Sequence, residues 1–239
     1  MPLKKLDEQG NYTHFPGITV IASVNKTDTL LRTIYEMLIK DKEFTDYFSP
    51  LPFSSYHMTT INLFTEEQIG SQKWKSFITG NNPLFQSLHQ MINDMEFTPS
   101  ISIDAVELAG ALQLRVTLPE EQLRAISQIA SSHNVQMGIP AFFHITLAYQ
   151  YKRLDVSVMQ NIKLRLTEEL IRVIGTSKQP LLLNSQQLCY FNDMSKFIPW
   201  NGNGFPFSGT FEGSSSFFAE KDKETSKKKE GPSSSCVIL

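Results

Sequence analysis

The chain has little cysteine, no long apolar run and no excess of basic charge, and each shortage removes a class of function. Only Cys189 and Cys236 occur in 239 residues, far apart and in unlike settings, so neither a disulfide framework nor a cysteine-rich metal site is expected. A reducing compartment is the default. No apolar stretch approaches the ~20 residues that span a bilayer, and Met1-Pro2-Leu3-Lys4-Lys5-Leu6-Asp7-Glu8 lacks the apolar core of a signal peptide. Synthesis in a cytosol is therefore expected. A formal net charge of −2 and a pI near 6.2 leave no broad basic face to displace the counterions of duplex nucleic acid. Any nucleic-acid ligand should be small or gripped locally. There is no Gly-x-x-x-x-Gly-Lys-Ser/Thr loop, which argues against a nucleoside triphosphatase.

What is present is ample apolar material: 41% hydrophobic and 11% aromatic residues, enough for one large domain or two fused small lobes. Phe15-Pro16-Gly17 punctuates the entry to a first strand, Ile18 to Val24. Thr27 or Asp28 then caps a helix with apolar positions at Leu30, Leu31, Ile34, Leu38 and Ile39. Residues 66 to 96 read as a helical excursion. Phe97 to Leu108 and Gln113 to Leu118 read as strands around Ala109-Gly110-Ala111, and Pro119-Glu120-Glu121 opens a helix to about residue 133. A long helix from Val156 to Ile174 and a last strand near Leu181 to Phe191 follow. Strand, helix, strand thus recurs in both halves, which predicts an α+β fold of two antiparallel sheets flanking a central cleft, helices outside.

The informative pattern is histidine, any residue, threonine, found twice in apolar strand-like runs: His57-Met58-Thr59 and His144-Ile145-Thr146. Side chains alternate along a strand, so each histidine shares a face with its own threonine while Met58, Ile145 and Leu147 point the other way. With five histidines and seventeen threonines, chance supplies about 0.4 such pairs, and two or more in roughly one chain in twenty. A lone strand histidine is more often a packed core or surface residue than a catalyst. The β-branched and aromatic flanks strengthen the reading, since His14, His89 and His133 lie in polar or helical surroundings. Side by side, the two strands would bring two proton-transfer groups and two hydroxyl donors into one pocket.

These residues, with Phe15-Pro16-Gly17, Leu51-Pro52-Phe53-Ser54-Ser55-Tyr56 ahead of the first histidine, and Leu114-Arg115-Val116-Thr117-Leu118-Pro119, resemble the two-histidine (2H) phosphoesterase superfamily. That superfamily includes RNA ligase-like cyclic phosphodiesterases and the myelin cyclic nucleotide phosphodiesterase. Within it, the context is similar to a poorly characterised branch found in bacteria and fungi, over roughly residues 10 to 200. The resemblance implies a bilobal α+β fold with one motif per lobe, His57 and His144 as general acid and base, and Thr59 and Thr146 binding the phosphate. It implies no cofactor and no metal. The implied substrate is a 2′,3′-cyclic phosphate or a short RNA-type phosphodiester, and a monomer is expected. Which histidine is the base stays open. Tyr149, Tyr151 and Arg115 are candidate substrate contacts. Tyr56 alternates away from His57 and is assigned to packing, and a solvent-facing role competes for Arg115.

From residue 213 the composition turns to Gly, Ser, Lys and Glu, too polar to offset chain entropy, so residues 1–212 should form the catalytic domain and 213–239 a disordered tail. Cys236-Val237-Ile238-Leu239 fits a prenylation box whose terminal leucine favours geranylgeranyl transfer by a prenyltransferase. From Glu220 to Glu230, five lysines face four acids, so little basic attraction supplements one lipid chain, and attachment to a membrane surface should be reversible. Prenyl transfer requires a eukaryotic cytosol, and a bacterial-looking domain with this ending suits a protein delivered into a host cell. Two rivals stand beside the enzyme: a module that binds a nucleotide or phosphorylated ligand without turnover, and a membrane-attached scaffold.

Overall fold

The computed structural model describes residues 5–175 and 180–203; the proposed tail and Cys236 lie outside them. The strands are β1 Gly17–Ser23, β2 Phe48–Pro50, β3 His57–Thr65, β4 Ser100–Leu108, β5 Ala111–Thr117, β6 Phe143–Gln150, β7 Leu181–Leu182, β8 Gln187–Phe191 and β9 Ile198–Pro199. The helices are α1 Thr29–Lys40, α2 Lys42–Thr45, α3 Glu66–Ile69, α4 Ser71–Gly80, α5 Asn82–Met95, α6 Glu120–Ser132 and α7 Val156–Ile174. Local chemistry accounts for most boundaries. Asp28 caps α1 by accepting from Leu31 N at 2.7 Å, and the apolar stripe buries Leu31, Ile34 and Leu38. The excursion at 66–96 is three helices. It breaks at Gly70, whose φ of 89° no other residue adopts cheaply, and at Asn81, ahead of Pro83 in the first turn of α5.

The strands form one curled antiparallel sheet in the order β7-β4-β5-β6-β3-β1-β8-β9, with β2 also on β6. This corrects the expectation of two separate sheets: the arms carrying the two motifs are joined through their inner strands, β3 and β6. Their pairing is a single position, Met58 opposite Ile145. The reason is competition for the edge of β6. β2 occupies it from Ala148 to Gln150, and Leu51 N donates to Leu147 O at 2.8 Å, leaving β3 only the stretch beyond.

The expected strand over 181–191 is also corrected. Leu181 and Leu182 pair with β4 at one end of the sheet, whereas Gln187–Phe191 pairs with β1 in the other arm. Asn184-Ser185-Gln186 carries the chain across, tied by Asn184 N to Ser23 O and Gln186 N to Phe97 O. Leu181–Phe191 is thus a strap between arms, its middle held by backbone hydrogen bonds to Ser23 and Phe97 although Gln186 is buried. The core runs along the inner strands and the helix stripes: Met58, Ile61, Ile145, Leu147, Ile126, Ile129, Leu166 and Leu170 are all buried. Among the described residues no helix is long and apolar enough to cross a membrane.

Candidate active site

The single β3–β6 contact fixes the site. Met58 and Ile145 are opposed and fully buried, so both point to the packed face and their neighbours point to the other. Extending the antiparallel register by one residue each way sets His57 level with Thr146 and Thr59 level with His144. The two imidazoles occupy the diagonal of this four-residue patch, a placement that puts the residues about 7–8 Å apart in a regular ladder, their Cβ atoms somewhat closer. All four residues line one cleft of about 450 Å³.

His57 stands in this cleft with its Nδ1 2.6 Å from the carbonyl oxygen of Ser55. A carbonyl only accepts, so Nδ1 carries the proton and Nε2 is the basic nitrogen. Burial lowers the pKa to about 4 against the opposing effect of the Ser55 hydrogen bond, and His144 and Lys5 lower it further. The Phe197 ring packs on the imidazole with centroids 4.0 Å apart. His144 is half-buried, and its pKa is also lowered, first by burial, with Lys5 adding to the effect and the Phe142 carbonyl and Glu107 opposing it. Its buried Nδ1 meets no group in hydrogen-bond geometry, so the Phe142 carbonyl acts on it as a nearby dipole rather than as an acceptor. Thr146 is buried, and its hydroxyl oxygen accepts from Gln113 Nε2 at 3.2 Å. Its proton is left free to donate into the cleft.

The candidate contacts divide. Tyr149 lines the cleft; its hydroxyl accepts from Lys5 Nζ at 3.1 Å and donates to Met194 Sδ at 3.6 Å. Tyr151 does not line it: its hydroxyl donates to Thr45 O at 3.0 Å and its ring packs on Gly10. Arg115 sits opposite His144 in the register but is half-exposed, beside Asp104 and Glu107, with its guanidinium over the Phe142 ring at 5.2 Å. Tyr56 is buried, its hydroxyl 3.4 Å from Leu147 O, so the packing assignment is borne out.

Sequence reasoning missed Lys5, Gln113, Phe191 and Phe197. Phe15, Phe191 and Phe197 build an aromatic wall leading to His57, with successive centroids 6.4 and 5.0 Å apart. Gly17 makes that wall possible: a Cβ there would lie 2.3 Å from Phe191 Cζ. Gly138 brings the loop before β6 against β3, where a Cβ would clash with Asn62 O, and Pro140 of that loop lines the cleft. Phe191 owes its place to the long-range pairing of β8 with β1, which sets it opposite Gly17, and sequence alternation alone does not reveal that register. Phe197 lies outside the strands and carried no signal. No carboxylate lines the cleft, and Lys5 is its only lysine or arginine, among the described residues. Also among them, no group of three or more His, Cys, Asp or Glu is arranged to hold a metal ion. Cys189 is buried, its thiol pushed up to about 12 by burial, which makes it an unreactive packing residue.

Residues 5–121 match the family model 2H-phosphodiest, described as a domain of unknown function (DUF1868); the match includes His57 and stops short of His144. The chain is 24% identical over 225 residues to uncharacterized protein 127L of Invertebrate iridescent virus 6, covering 82% of this chain and 93% of that protein. The crystal structure of ATU0111, a conserved protein of unknown function from Agrobacterium tumefaciens, matches with a TM-score of 0.65 at 14% identity, over 84% of this chain and 92% of that one. At that identity the likeness is one of fold. Usb1 from Kluyveromyces marxianus is 14% identical with a TM-score of 0.37, over 78% of this chain and 98% of that one.

Proposed function

We propose that this chain, matched over residues 5–121 by the 2H-phosphodiesterase family, is a phosphodiesterase that needs no metal and opens a 2′,3′-cyclic phosphate or cleaves a short oligonucleotide by two-histidine acid–base catalysis. The observation that carries the reading is the shared cleft: two imidazoles and two threonine hydroxyls on one face of adjoining strands. His57 is the base. Its Nδ1 proton is held by Ser55 O, so Nε2 takes a proton from the attacking water as the water oxygen bonds to phosphorus. His144, the less strongly depressed of the pair, is the acid and gives its proton to the departing sugar oxygen as the P–O bond breaks. Proton exchange with solvent then resets both rings. Thr59 and Thr146 donate to the non-bridging oxygens, where charge grows in the transition state. The aromatic wall suits a flat base or sugar face, and the cleft volume suits a ligand of nucleotide size.

The rival reading, a binding module without turnover, needs no pair of proton carriers, and their presence favours catalysis. Incubating the protein with 2′,3′-cyclic mononucleotides and 2′,5′- and 3′,5′-linked dinucleotides in EDTA tests the choice. Hydrolysis of at least one is the expected result, and binding without product would establish the module instead.

The prenylated anchor is a separate proposal, carried by Cys236-Val237-Ile238-Leu239. Mass spectrometry of protein made in eukaryotic cells should find a C20 isoprenoid on Cys236 and the last three residues removed. Unmodified chains ending in Leu239 would refute it. Such an anchor would place the enzyme reversibly on the cytoplasmic face of a membrane.

A further inference from the structure

We propose that Lys5, presented by an N-terminal hairpin, is a phosphoryl-anchoring residue of the cleft and makes its occupancy depend on a phosphate group; this rests on the phosphodiester reading above. The hairpin is built to hold its position. Leu6 bridges to Tyr12 and is buried, Thr13 N donates to Lys5 O at 3.1 Å, and Asp7 Oδ1 accepts from Gln9 N and Asn11 N. Gly10 turns the chain at a φ of 82°, against the Tyr151 ring. The Tyr12 hydroxyl ties the hairpin to Pro50 O at 3.1 Å. Tyr151 and Tyr12 thus serve the cleft indirectly, by fixing the segment that carries its cation.

The Lys5 side chain is aimed with equal care. Nζ donates to the Tyr149 hydroxyl at 3.1 Å and lies 4.7 Å from the Tyr149 ring centroid and 5.5 Å from that of Phe15. Aromatic faces and a hydroxyl steer an ammonium without neutralising it, and among the described residues no carboxylate pairs with it. An ordinary surface lysine reaches for solvent or a carboxylate. This one is partly buried beside two imidazoles in a cleft lined by no acid. It acts on both rings, since its charge lowers the pKa of each. An anionic phosphoryl group between the imidazoles would receive the Threonine hydroxyls and this ammonium together, and a charge-assisted contact is the strongest of the three.

The test is binding, read without turnover. Isothermal titration of the full chain with inorganic phosphate and with adenosine 5′-monophosphate compares wild type with Lys5→Met, Lys5→Arg and Tyr149→Phe. Lys5→Met should weaken both ligands roughly tenfold or more, Lys5→Arg should restore most of the loss, and Tyr149→Phe should give an intermediate loss through poorer aim. Adenosine, which has no phosphate, should bind wild type and Lys5→Met alike, and an unchanged melting temperature shows that the fold is intact. Phosphate affinity that is the same in Lys5→Met, or absent in wild type, overturns the proposal. Because no product is measured, a protein that binds phosphate through Lys5 but hydrolyses nothing would sustain this inference while refuting the phosphodiesterase reading.

Discussion

Replacing His57 or His144 with alanine should lower kcat on a cyclic or linear phosphodiester by about 10²–10⁴-fold, the usual worth of a positioned acid or base. The double replacement should cost little more than the worse single one, because the two groups act on one transition state. The variants should separate when the leaving group is changed. A p-nitrophenyl ester departs without a proton, so His144→Ala should regain most of its rate on that substrate. His57→Ala should not, since the water still needs a base. This difference rests on the assignment of His57 as the base, kept neutral by burial and with its proton held on Nδ1 by Ser55 O, so that Nε2 is the nitrogen free to accept. Rescue of His57→Ala instead of His144→Ala would reverse the assignment. Full activity in both single variants would eliminate two-histidine catalysis altogether. Unchanged melting temperatures keep the comparison free of folding effects, and His57→Asn, which keeps a polar group beside Ser55 O, repeats the test with a smaller packing loss.

The grouping of His57, Thr59, His144 and Thr146 was more legible in the chain than the architecture that carries it. Strand alternation alone set His57 with Thr59 and His144 with Thr146, because side-chain direction is a local property with period two. Helix stripes were equally local: Leu31, Ile34 and Leu38 are buried as their spacing requires, although Ile39, at the margin of the stripe, is 45% exposed. The joining of the arms was not legible, since it depends on one contact between residues 87 positions apart, Met58 and Ile145, and on β2 claiming the rest of the β6 edge. Leu181 to Phe191 misled for a related reason. Its composition suits a strand at either end, and only long-range pairing decides that the two ends join different arms. Lys5 sits in a polar start with no periodicity, and its place in the cleft comes from a hairpin closed by Leu6, Gly10 and Tyr12. Tyr149, five positions from His144, would fall on the opposite face by strict alternation; it lines the cleft because β6 carries an extra residue at Leu147, which shifts the alternation by one. Tyr151, two residues on, is drawn away by Thr45 O.

The pH dependence of kcat/KM should be a bell displaced to the acid side of the ordinary histidine range. Both free-enzyme imidazoles are depressed by burial, His57 to about 4 and His144 below the ordinary histidine value. The productive form has His57 neutral and His144 protonated. Activity should therefore rise with pH through the His57 value and fall again as pH passes the lowered value of His144, the profile reporting macroscopic constants of the coupled pair. In the enzyme–substrate complex, a bound phosphodiester anion favours the protonated form of each ring and partly cancels Lys5, so the kcat bell should lie at higher pH than the kcat/KM bell. The groups facing the imidazoles allow no other direction: Lys5 disfavours protonation of both, while Ser55 O at His57, and Phe142 O and Glu107 at His144, oppose burial without reversing it. Lys5→Met should move both limbs of the kcat/KM profile to higher pH, because a charge that lowers both constants has been removed. The measurement is initial rate from about pH 3 to 9 at constant ionic strength, with substrate well below and well above KM. A kcat/KM optimum on the alkaline side of pH 7, or limbs that Lys5→Met shifts to lower pH, would show that the free cleft does not hold its histidines neutral. The substrate would then find the acid already charged, and would not have to raise it by binding.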